Sequence, residues 1–81
     1  MVNLDFKSII SQELQNVNSK RVEIFEIGGI KVFDLVKYRI SFIKLTQALY
    51  ELKQEKTIHE YAYSNDSSKY PHNRPIIVFK N

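Results

Sequence analysis

Asp34-Leu-Val-Lys-Tyr-Arg-Ile-Ser-Phe-Ile-Lys-Leu-Thr-Gln-Ala-Leu-Tyr-Glu-Leu-Lys-Gln-Glu-Lys-Thr-Ile-His-Glu-Tyr61 makes up about a third of an 81-residue chain. The stretch predicts a short helix, a tight turn, a longer helix and then a strand. Phe33, Leu35 and Val36 supply the apolar positions of the short helix, over residues 33–39. Leu45, Ala48, Leu49 and Leu52 follow the spacing three, one, three, which is one buried stripe on a helix over 41–55. Ser41 is placed to cap that helix with its hydroxyl. Lys44, Gln47, Tyr50, Glu51, Lys53 and Gln54 lie off the stripe and face outward. Ile58 begins the strand.

Upstream, Phe6, Ile10, Leu14 and Val17 recur at spacings of four, four and three, the apolar face of an amphipathic helix over residues 3–18. Asn3 or Asp5 is positioned to cap its start. Arg21-Val-Glu-Ile-Phe-Glu-Ile27 and Ile30-Lys-Val-Phe33 are rich in strand formers, with Gly28-Gly29 between them. That pair signals a hairpin, or one strand followed by a turn and a short second strand. No Gly-rich spacing followed by Lys-Ser/Thr surrounds it, so it reads as a turn and not as a phosphate loop. Downstream, Ile58–Tyr63 and Pro75–Phe79 are strand candidates joined by a long polar loop, Ser64 to Arg74. Loops of that length inside a small domain are usually functional or disordered. No repeat or low-complexity tract interrupts the order.

Composition narrows the function classes. A single small domain with little core needs each regularly spaced apolar residue. There is no cysteine, and His59 and His72 lie 13 positions apart without a zinc-ligand pattern, so no metal and no cofactor are expected. Neither a signal peptide nor an apolar run of about 20 residues is present, which predicts an intracellular, cytoplasmic protein without membrane contact. Catalysis is not expected, because no Ser-His-Asp or Cys-His arrangement can be assembled, and neighbouring His59 and Glu60 point to opposite faces of a strand. The net charge of +3 is unevenly divided. Residues 1–36 carry four Lys/Arg and five Asp/Glu, and residues 37–81 carry eight and four. A basic half raises the expectation of a polyanionic partner.

Taken together, Leu35-Val-Lys37, Ile40-Ser41, Leu45-Thr-Gln-Ala-Leu49, Leu52 and Ile58-His-Glu-Tyr61 resemble the winged helix-turn-helix family of DNA-binding domains. The likeness extends over residues 30–80, with residues 1–20 matching the family's first helix. Tyr38-Arg39 and Lys56 stand where the family usually carries glycine, and the helix before the turn has no evident N-cap. A residue with a Cβ at Lys56 takes the left-handed conformation at a cost of about 1 kcal/mol. The resemblance implies an α+β fold of three helices with a C-terminal β-hairpin wing and an added N-terminal strand or hairpin. It implies a recognition helix in the major groove of double-stranded DNA.

On that reading, Ser41, Phe42, Lys44, Thr46, Gln47 and Tyr50 are nearest the DNA, with Ile43 beside them. Gln47 suits the N6/N7 edge of adenine and Lys44 suits guanine or phosphate. Ser41 and Tyr50 suit phosphate oxygens. Phe42 either touches a thymine methyl or packs on the preceding helix. Lys69 and Arg74 are the cations of the wing, alongside Ser67, Ser68, His72 and Asn73. Lys37 and Arg39 border the turn within reach of phosphate. The expected protein is a small transcriptional regulator of viral, plasmid or microbial origin. It would act as a homodimer through the N-terminal helix or the last strand. The alternative from another class is a protein-interaction module, such as an assembly factor or phage-type inhibitor, without DNA binding. The tyrosines near the wing suit such an interface. An alternative α+β fold joins the two hairpins in one four-stranded sheet.

Overall fold

Asp5 opens the first helix by accepting a hydrogen bond from the Ser8 backbone N–H at 3.3 Å and another from its hydroxyl at 2.9 Å. The computed structural model describes residues 5–66 and 68–81. The other capping candidate, Asn3, lies outside the described residues. Helix α1 runs Phe6–Gln15, shorter at both ends than its apolar pattern suggested, and buries Phe6, Ile10 and Leu14. Lys80 closes its far end, donating to the carbonyl of Leu14 at 2.9 Å and to that of Val17.

The segment after α1 splits between two sheets. β1 (Arg21–Ile24) pairs antiparallel with the last strand, β5 (Ile76–Lys80), with Val22 opposite Val78. Phe25 interrupts the run. β2 (Glu26–Ile27) and β3 (Ile30–Lys31) then form a separate two-stranded hairpin. Both of its turn residues, Gly28 and Gly29, have positive φ (61° and 80°), the requirement of a two-residue turn that follows the twist of its strands. The imperfect alternation at Ile24-Phe25 marks this change of sheet.

Helix α2 spans Val32–Lys37 and helix α3 spans Arg39–Gln54. Tyr38 alone separates them, in extended conformation at ψ 117°. The turn expected through Ser41 is thus one residue long, and Ser41 lies inside α3 instead of capping it. Nothing between Arg39 and Ser41 breaks a helix, so hydrogen bonding extends back until Phe42 N–H reaches the Tyr38 carbonyl at 2.9 Å. The inward stripe is as spaced: Leu45, Ala48, Leu49 and Leu52 are all buried. Lys56 ends the helix at φ 64°, occupying the left-handed position without a glycine.

β4 (Ile58–Tyr63) completes a three-stranded antiparallel sheet in the order β1-β5-β4, with a register shift between Ile58 and Glu60. The two hairpins therefore do not merge into one four-stranded sheet. β5 is the central strand, bonded on both sides, so it offers no free edge to a second copy. α1 packs on α3 and α3 on β4, and the shared core includes Ile10, Leu49, Ile58, Ile76 and Val78, none more than 1% exposed. Among the described residues the result is a small α+β fold with three helices and two antiparallel sheets. Among the described residues no helix is long and apolar enough to cross a membrane.

Candidate functional site

Burying one face of α3 leaves its other face to solvent. Arg39, Lys44, Gln47 and Tyr50 are exposed there. So are apolar side chains: Ile40 is 71% exposed, Ile43 51% and the preceding Tyr38 68%. Lys44 and Gln47 also border α1, where they line a shallow depression with Asp5, Lys7 and Glu51.

Three candidates turn the other way. Ser41, Phe42 and Thr46 are half-buried, Phe42 and Thr46 toward β4. The Phe42 ring lies 5.3 Å from that of Tyr63, and the Thr46 hydroxyl is 2.8 Å from the Tyr63 hydroxyl. Burial pushes the Tyr63 phenol up from its ordinary value, against the opposing pull of the Thr46 hydrogen bond. Packing thus commits Phe42 and Thr46 to holding the end of β4 against α3. Phe42 packs against the Tyr63 ring of this strand.

Ion pairing sorts the cations. Lys7 pairs with Glu55, Arg21 with Glu23 at 2.6 Å and Lys53 with Glu60 at 3.0 Å. Lys37 stands 3.9 Å from Asp34, at the outer limit of an ion pair. Among the described residues Arg39, Lys44, Lys69 and Arg74 have no carboxylate within bonding distance.

The polar loop after β4 is not a free tip. Asp66 organises it, accepting from the Lys69 N–H at 3.0 Å and the Ser68 hydroxyl at 2.9 Å, which holds its carboxyl below the ordinary value. Ser67 lies outside the described residues. Tyr70 then reaches across to β1. Its hydroxyl donates to Glu23 at 2.7 Å, and its ring meets Phe25 edge-on at 5.7 Å. That hydrogen bond, then the Arg21 guanidinium, lowers the Glu23 pKa. Asn73 accepts from the Phe33 N–H and donates to the Phe25 carbonyl, both at 3.3 Å. It supplies, from forty positions away, the cap that α2 lacks locally, since Lys31 makes no side-chain cap.

Arg74 turns inward as well. It is half-buried and lies over the Phe33 ring at 6.0 Å, where Lys37 also sits at 4.6 Å. Of the two cations of this loop, Lys69 is exposed and Arg74 is not. Sequence reasoning missed Phe33, Tyr63, Tyr70 and Asn73 as the residues that position the loop. Only Tyr63 gave a sign, because Tyr61 and Tyr63 keep a period of two along β4. No cluster of three or more His, Asp or Glu suited to a metal occurs among the described residues. Comparison with protein-family models, with curated proteins and with solved structures finds no match to the chain.

Proposed function

We propose that this chain is a winged helix that binds double-stranded DNA through the outer face of α3, as a small transcriptional regulator. The observation that carries the reading is the sheet order β1-β5-β4 joined to the contact of Tyr63 with Phe42 and Thr46. A helix pair sits between the first strand and a returning two-stranded unit, and the loop of that unit leaves beside the N-terminal half of α3. A recognition helix and a wing stand in that relation. Arg39 and Lys44 carry unneutralised charge for phosphates, Gln47 offers an amide for a base edge, and Tyr50 a phenol for a phosphate oxygen. Lys69 adds a wing contact. Ser41, Phe42, Thr46 and Arg74 act through the fold and not on DNA.

Titrating binding to random duplex DNA against salt tests the reading. A decline in log affinity with log salt, at a slope of about −0.9 per phosphate contacted, is the expected outcome. Absence of binding at low salt defeats it.

One observation favours a second reading, contact with another protein. Ile40, Ile43 and Tyr50 recur at spacings of three and seven along α3 and are each more than half exposed. A row of large apolar groups on one solvent face is the mark of an interface. Ile43→Ser separates the two, since it removes an apolar anchor and leaves every charge. DNA affinity that stays within about threefold while a protein complex dissociates selects the second reading.

A further inference from the structure

Between α2 and the base of the β4–β5 loop lies a cleft of about 250 Å³. Val32, Phe33, Val36 and Pro75 give it a mainly apolar wall. Lys37 and Arg74, each near the Phe33 ring, bring two positive charges to the lining of the same cleft. Ser64 and Asn65 add polar groups at its edge. Among the described residues, the Arg74 Nε is the buried side-chain nitrogen or oxygen with no hydrogen-bond partner.

These features belong to one another. The Arg74 Nε is closed to solvent, so an anion in the cleft would meet the rest of the guanidinium, whose N–H groups form strong charge-assisted bonds to a carboxylate. Lys37 has only the distant carboxylate of Asp34, itself half-exposed to water. Its ammonium is therefore available to a second anion. An apolar wall with a few convergent polar groups is the usual make-up of a small-molecule site. The volume falls just under the range of roughly 300–1,000 Å³ typical of such sites, so the occupant is compact. A multiply charged phosphate compound would set its polar bulk against Val32, Val36 and Pro75. One negative charge on an apolar body matches the lining better.

We propose that this cleft is a binding site for a small apolar monocarboxylate, of one aromatic ring or an equivalent branched chain. The carboxylate bridges Arg74 and Lys37, and the apolar body lies against Val36 and Phe33. The site stands apart from the outer face of α3 and is independent of whether that face binds DNA.

Benzoate and its uncharged isostere benzamide test this on the full chain by amide and side-chain NMR. Benzoate is expected to shift the resonances of Phe33, Val36, Ser64 and Arg74 saturably, with Kd on the order of 1 mM. Benzamide should bind at least tenfold more weakly. Arg74→Gln and Lys37→Gln should each weaken benzoate by a similar factor. Equal binding of benzoate and benzamide overturns the proposal, as does the lack of a saturable shift at these residues. If a short DNA duplex shifts them where benzoate does not, the cleft belongs to a nucleic-acid surface and the proposal fails. The contrast between the two ligands on the unaltered chain holds even if a variant folds poorly.

Discussion

The two faces of α3 are made of the same sixteen residues and have opposite chemistry. The inward face repeats one kind of group: Leu45, Ala48, Leu49 and Leu52, none more than 6% exposed. The outward face mixes Arg39, Ile40, Ile43, Lys44, Gln47 and Tyr50, all in water. Uniform apolar character needs only volume and spacing, and it specifies packing. A mixed face does nothing for the core, so its composition reflects what it meets. Stability and binding should therefore come apart along one helix.

The largest effect expected is on the inward face. Leu49→Ala should lower unfolding free energy by about 2–5 kcal/mol, out of roughly 4–12 kcal/mol for a chain of this size. Urea denaturation followed by circular dichroism measures it. A loss below about 1 kcal/mol would mean the site collapses around the smaller side chain.

On the outward face, Arg39→Ala with Lys44→Ala should leave stability within about 0.5 kcal/mol. The same pair should reduce the salt slope of DNA binding by about two. A fall in stability with an unchanged slope would reverse the assignment of the faces.

Next comes the loop that frames α3. Tyr70→Phe removes the hydroxyl bound to Glu23 and should cost about 1 kcal/mol. Acid should act on the same contact. Glu23 titrates below its ordinary value when folded, so its contribution is complete above the unfolded carboxyl pKa. That contribution disappears as pH falls through the lowered folded value. Between about pH 6 and about pH 3, Glu23→Gln should lose less stability than the unaltered chain. Parallel denaturation curves for the two proteins over that interval would count against the tether.

The smallest effect has the opposite sign. Lys56→Gly at φ 64° should stabilise by about 1 kcal/mol, because glycine takes that conformation without a Cβ conflict. Thermal unfolding detects this, and a lowered midpoint would show that the Lys56 side chain contributes more than its backbone costs.

How much of this was legible in the sequence follows the same division. The stripe of α3, the apolar face of α1, the Gly28-Gly29 turn and the strain at Lys56 were all readable, because each depends on neighbours within one element. The failed alternation at Ile24-Phe25 was readable too, but not the change of sheet there, since which sheet a strand joins is decided by distant partners such as Ile76 and Val78. The one-residue turn at Tyr38 was missed for a local reason. Ser41 looked like a cap, but no residue before it stops a helix. At the candidate site, Lys44, Gln47 and Tyr50 are exposed as the helical period alone sets them, and Arg39, expected at the turn, is exposed in the first turn of α3. Thr46 and Arg74 read as outward and Phe42 as either, and Tyr63 and Phe33 hold Phe42, Thr46 and Arg74 inward across gaps of 21, 17 and 41 positions. Pairings of that range leave no periodic trace.

The central place of β5 bears on the order in which the molecule can be made. β1 and β4 leave the ribosome first, and neither can pair with the other. Both stay without a sheet partner until Ile76–Lys80 emerges and enters between them. Until then Ile10 and Leu49 lack the cover that Ile76 and Val78 of β5 add to the core. Formation of the sheet is thus one late event that joins residues more than fifty positions apart along β1 and β5. A nascent chain ending before Ile76 should remain open to proteolysis, and one extended past Lys80 should become resistant in a single step.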